Sequence, residues 1–287
     1  MNGTYAKWAR MVVVGGFFLG ASLVTNAQTQ QNGQQPPPAQ QPADKDKKPE
    51  VKDLTLDGAT SGTPAPVNAE EDAAYKAFLA ETDLAKKVGL GEAFVQKYPE
   101  SRYRPPVYSS LTTLYLQTNQ IKKMEEIGDK EIALNPSDVQ VMAILAQTLP
   151  RASSAPEELT KAEGYAKRAI ETTPTIAKPE GITDDVFAKA KNQTLAMAHS
   201  GLGLVYVKRG KFAEAIPELD ASVKVDPSPD PVNYYLLGVA NKSTSHFDDA
   251  ITSFNKCAAI PGPMVPNCKS GAEEAKKLST TQLSAPK

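Results

Sequence analysis

The side chains best suited to metal binding or nucleophilic chemistry are few: two histidines, His199 and His246, and two cysteines, Cys257 and Cys268. Zinc sites draw His and Cys ligands from a small set of spacings, and His246, Cys257 and Cys268 match none of them. The chain has no Walker-type phosphate loop, no His-Glu-x-x-His helix, no Gly-x-Ser-x-Gly elbow and no Cys-x-x-Cys pair. A catalytic role, a metal and a cofactor are therefore not expected. The two cysteines can still react with each other. In an oxidising compartment an even pair reads as a disulfide, Cys257 to Cys268; the alternative is that Cys257 merely fills a small position on a helix.

The elements that would position these residues repeat. Leu202, Gly203, Phe212, Ala215, Ile216, Leu219 and Ser222 recur 35 positions later as Leu237, Gly238, Phe247, Ala250, Ile251, Phe254 and Cys257. A period of that length marks helix pairs that cannot bury their apolar faces alone and so stack on their neighbours. Gly203 leaves room for the second helix of its pair, and Ala215, Leu219 and Ser222 fall on one face of that helix. Gly210 closes the first helix and Asp226-Pro227 the second. Beyond the second copy, Ala272, Ala275 and Leu278 face inward on a terminal helix whose Glu and Lys residues face out, as a solenoid cap requires.

These residues, with His199 in a large-residue position and Tyr206 one turn after Gly203, resemble the tetratricopeptide repeat (TPR). The second copy departs at Asn241, where the family has Tyr, and at Pro261-Gly262-Pro263. Weaker copies are traced upstream through Met142, Leu145, Ala162 and Ala166, and through Tyr108, Leu111, Tyr115 and Ile127, with Gly128 an unfavourable occupant of a large position and extra residues around Arg151 to Pro156 lengthening a turn. The phrase from Phe94 to Tyr103 is similar to repeats of periplasmic outer-membrane-assembly lipoproteins and of the cell-division coordinator family. The resemblance implies a concave face carried by the first helices. By position it presents Thr113 and Gln117, then Gln147 and Arg151, then Ser200, Leu204 and Lys208, and finally Tyr235, Val239 and Lys242. Such a face accepts an extended peptide, with Arg151, Lys208 or Lys242 receiving a carboxylate. The paired Lys and Asn residues of the family's chaperone-tail clamp are missing. His199 is expected simply to pack, and His246 to be solvated in a turn.

The N-terminus reads as an export signal: Lys7 and Arg10, an apolar run from Met11 to Val24, then the small-residue site Thr25-Asn26-Ala27, with cleavage before Gln28. The alternative is an uncleaved membrane anchor, although a run of roughly 14 residues is short against the roughly 20 that span a bilayer. Residues 28–68, rich in Gln, Pro, Lys and Asp, read as a disordered linker. The formal charge is −1, and loss of Lys7 and Arg10 with the signal leaves −3, which does not suit nucleic acid.

The expected fold is all-α: a right-handed superhelical solenoid of helix-turn-helix, TPR-like repeats behind a disordered linker. The repeat domain spans 69–283, with units at about 69–100, 104–137, 138–175, 183–228 and 231–262 and a capping helix at 267–280. The expected protein is exported to the periplasm or secreted, with no stable membrane insertion after cleavage. Its expected function is a non-enzymatic scaffold of the cell envelope holding a partner protein or peptide. A peptide- or glycan-binding regulatory subunit of an envelope enzyme or transporter is the alternative.

Overall fold

Short polar residues start four of the helices. Asp83, Asp138, Thr183 and Asp230 each accept a hydrogen bond at their side-chain oxygen from a first-turn backbone N–H, those of Lys86, Val141, Val186 and Val232. Such caps satisfy donors that have no partner within the helix. The computed structural model describes residues 69–284, with side chains as far as 281; the expected signal (1–27) and linker (28–68) lie outside the described residues. Eleven α-helices follow among the described residues: α1 (Ala69–Ala80), α2 (Leu84–Lys97), α3 (Arg104–Gln117), α4 (Ile121–Leu134), α5 (Val139–Ala152), α6 (Pro156–Thr172), α7 (Asp184–Lys208), α8 (Phe212–Val225), α9 (Pro231–Ser243), α10 (Phe247–Ala259) and α11 (Val265–Ser284). A single turn of 3-10 helix, Thr173–Thr175, follows α6. The helices pack in consecutive pairs, each pair on the next, and α11 closes the last. This is an all-α stack of helix pairs.

The turn inside three of the pairs is built the same way. Asn119, Gly210 and Ser245 adopt left-handed backbone at φ 56, 72 and 63°. In each case the N–H of the following residue reaches back to the carbonyl of Tyr115, Tyr206 or Asn241, which closes the helix with a Schellman turn. Asn241, the departure from the family's Tyr, therefore keeps the backbone role of that position.

Glycines set the closest helix approaches. A Cβ on Gly203 would lie 2.6 Å from the Leu219 side chain, and one on Gly238, the same position in the next repeat, 2.7 Å from the Phe254 ring. Closer still is Gly201, where an added Cβ would lie 2.3 Å from the Ala146 carbonyl oxygen of α5. That carbonyl lacks its usual helical donor, because the residue four positions on is Pro150. The Cα–H of Gly201 points into the space so left, a weak but favourable contact.

Helix α5 is buried on nearly its whole circumference, from Val139 through Pro150, between α4, α6 and α7. A helix apolar all round belongs in the middle of a stack. It also runs straight through Pro150 to Ala152, so the turn to α6 is only Ser153 to Ala155, shorter than the lengthened turn the spacing predicts. Pro217 lies inside α8 in the same way.

Candidate functional site

The residues expected on the concave face divide into two groups. On α3, Gln117 is exposed and Thr113 half-buried; Gln147 of α5, Leu204 of α7 and Tyr235 of α9 are half-buried, the Tyr235 ring standing edge-on to Phe254 with centroids 5.6 Å apart. These five keep surface on the first helices.

The other five do not act as expected. Ser200 is buried and belongs to a chain of hydrogen bonds linking α7, α8 and α9. Its hydroxyl donates to Asn233 Oδ1 (2.7 Å), the Asn233 amide donates to Ser222 Oγ (3.1 Å), and the Ser222 hydroxyl donates to the Ala196 carbonyl (2.9 Å). Every polar group in that chain has a partner, which is the condition for placing it in a core. Val239 is also buried, packed with Ala250, Phe254 and Ala275. Neither is presented to a ligand, because the face of a first helix that contacts the next pair depends on the rotation between pairs.

The three cations are engaged within the fold. Arg151 Nη2 donates to Asp230 Oδ2 at 3.0 Å, bridging the end of α5 to the start of α9. Lys208 donates to the Ser153 carbonyl and to Ser154 Oγ, both at 2.9 Å, at the C-terminus of α5, where a cation meets the negative end of the helix dipole. Burial holds its ammonium below the usual lysine range. Lys242 pairs with Glu274 of α11 at 2.7 Å. Each of the three cations expected to receive a carboxylate thus has a partner within the fold.

Both histidines have polar partners. His199 Nδ1 lies 2.7 Å from Glu218 Oε2 of α8, so it joins an inter-helix polar contact rather than simply packing. His246 is exposed, with Nδ1 2.8 Å from Thr244 Oγ1. Cys257 and Cys268 form a disulfide between α10 and α11. Among the described residues no three His, Cys, Asp or Glu side chains gather as a metal site, and no helix is long and apolar enough to cross a membrane.

The second helices, joined by the end of α7, carry an unexpected ladder of charges between neighbouring pairs. Lys123 of α4 reaches Glu92 of α2 (2.8 Å), Lys161 of α6 reaches Glu125 and Asp129 of α4 (2.5 Å each), and Arg209 at the end of α7 reaches Glu163 of α6. Tyr115 donates to Glu92 (2.6 Å) and Tyr165 to Asp129 (2.7 Å). Burial, then the Asp129 carboxylate, pushes the Tyr165 hydroxyl up to about 12. Burial works against the Lys161 ammonium, but its two carboxylates outweigh it and raise its pKa. The ladder's pairs lie 31 to 46 residues apart without a fixed period, so slot matching on apolar residues passes over them.

Glu158 sits beside this ladder at a cost. Burial, then the nearby Glu125, raises its carboxyl above the usual glutamate range. The folded chain therefore holds that proton more tightly than the unfolded chain. The resulting stabilisation is full below the unfolded pKa and is lost as pH rises through the folded one. Glu158→Gln removes the charge, so at pH 7 its melting temperature should exceed that of the parent by on the order of 1 °C. Thermal melts from pH 7 to pH 3.5 should show the advantage vanish on acidification; a variant less stable at pH 7 contradicts this placement.

No protein-family model and no curated protein sequence matches the chain. Among solved structures it is similar to a thermophilic TPR protein of Thermus thermophilus, at 18% sequence identity and a TM-score of 0.40, over 71% of this chain and 98% of that one.

Proposed function

We propose that the chain is a non-enzymatic scaffold of the cell envelope, holding a partner protein by an extended segment laid along its first helices. One observation supports the reading: the first helices α3, α5, α7 and α9 each keep partly or fully exposed a residue that the repeat register assigns to the concave face, in Thr113 and Gln117, Gln147, Leu204 and Tyr235. Amide, hydroxyl and aromatic groups at that spacing hydrogen-bond and pack on a peptide without demanding one charge. A carboxylate on the partner would have to compete with Asp230 for Arg151.

Export to an oxidising compartment is supported by the order of basic, apolar and small residues before Gln28 and by the Cys257–Cys268 bond, since such bonds persist outside reducing compartments. N-terminal sequencing of the mature protein should begin at Gln28; an intact Met1 in the membrane fraction supports the anchor instead.

The test of the binding face uses a photoreactive amino acid placed singly at Gln117 and Gln147, and at exposed Lys224 and Lys256 on second helices. In the native cell the first two positions should capture one common protein and the last two should not. Capture of that protein at Lys224 and Lys256 but not at Gln117 and Gln147 overturns the assignment.

A further inference from the structure

Helix α11 docks on the last pair through its smallest side chains. Its buried positions are Cys268, Gly271 and Ala275, while Leu278, which would extend the same stripe, is 41% exposed. Gly271 lies against the Phe254 ring, where an added Cβ would come within 2.6 Å, and Gly238 of α9 lies against the same ring. The charged contact, Lys242 with Glu274, reaches a carboxylate that is 60% exposed, and solvated pairs of this kind hold little. These small side chains bring little apolar area of their own, so packing secures α11 mainly through what it covers of Phe254, Val239 and Ala250.

The covalent bond supplies the rest. Cys257 in α10 and Cys268 in α11 have Cα atoms 5.8 Å apart and close a loop with a sequence separation of 11. We infer that this bond is a redox latch on the C-terminal cap: oxidised, α11 stays docked; reduced, it opens and uncovers Phe254, Val239 and Ala250. Both cysteines are fully buried, so a reductant reaches them only when α11 opens locally. A dithiol thiolate then attacks one sulfur and expels the other as a thiolate. Its second thiol closes a ring on the mixed disulfide, two electrons pass to the cystine, and both cysteines end as protonated thiols. The remaining pairs keep their own neighbours and stay folded.

Hydrogen exchange on the full mature chain, oxidised and after treatment with dithiothreitol, reads the latch directly. Loop closure of this length predicts that amides of α11 exchange on the order of 100-fold faster once reduced, with α3 to α6 unchanged. The double variant Cys257→Ala, Cys268→Ala should behave as the reduced protein without reductant, since alanine fits both small positions. Equal protection of α11 in oxidised and reduced protein overturns the latch. Loss of protection across all helices on reduction overturns it too, because the bond would then hold the whole domain.

Discussion

Gly201→Ala should destabilise the protein by about 3 kcal/mol, lowering the melting temperature by roughly 6 to 12 °C. The added methyl would meet the Ala146 carbonyl carbon and oxygen and the Gln147 nitrogen, all backbone atoms of a buried helix that cannot turn aside as a side chain would. The opposite sign is expected at Gly164, which has open space around the position of a Cβ on exposed α6. There Gly164→Ala should stabilise by about 0.5 to 1 kcal/mol through helix propensity. Thermal melts followed by circular dichroism at 222 nm measure both. If Gly201→Ala melts at or above the parent, α7 does not approach α5 as described.

Phe254→Ala is the second large effect. The ring is 1% exposed, edge-on to Tyr235 and in contact with Gly238 and Gly271, so its removal leaves a cavity that neighbouring glycines cannot fill. Truncation of a buried Phe costs about 3 to 5 kcal/mol. Stacked pairs contact only their neighbours, so the loss should fall on α9 to α11. Urea titration should split into two transitions, the earlier one carrying the helicity of the last pair and cap. A single transition at the parent midpoint would contradict the packing.

The repeat was legible because its packing positions are local. Gly203 and Leu219 face each other across one turn, and so do Gly238 and Phe254, so one spacing fixes both contacts. Gly128, which reads as unfavourable from the family pattern, is explained by distance: it makes room for Leu145 of the next pair, 3.0 Å from where its Cβ would be. The candidate face was only half legible. Whether Ser200 or Val239 points to solvent depends on the rotation between pairs, and the partners that decide it, Asn233 and Ala275, lie 33 and 36 residues on. The close approach at Gly201 depends on Pro150, a residue of another pair, freeing one carbonyl. No spacing within a single repeat encodes that.

The Arg151–Asp230 bridge gives the stack a mechanical property. Helix pairs joined only to their neighbours behave as a spring, in which each junction bends by a little and the bends add. Arg151 lies in the pair α5–α6 and Asp230 begins the pair α9–α10, so their bond skips the pair between and acts as a tether across two junctions at once. Both side chains are partly shielded from solvent, at 21% and 32% exposure, which limits screening by salt. Separating these pairs must therefore break that bond as well as bend the two junctions, and a partner that draws Asp230 away from Arg151 leaves each junction to bend alone.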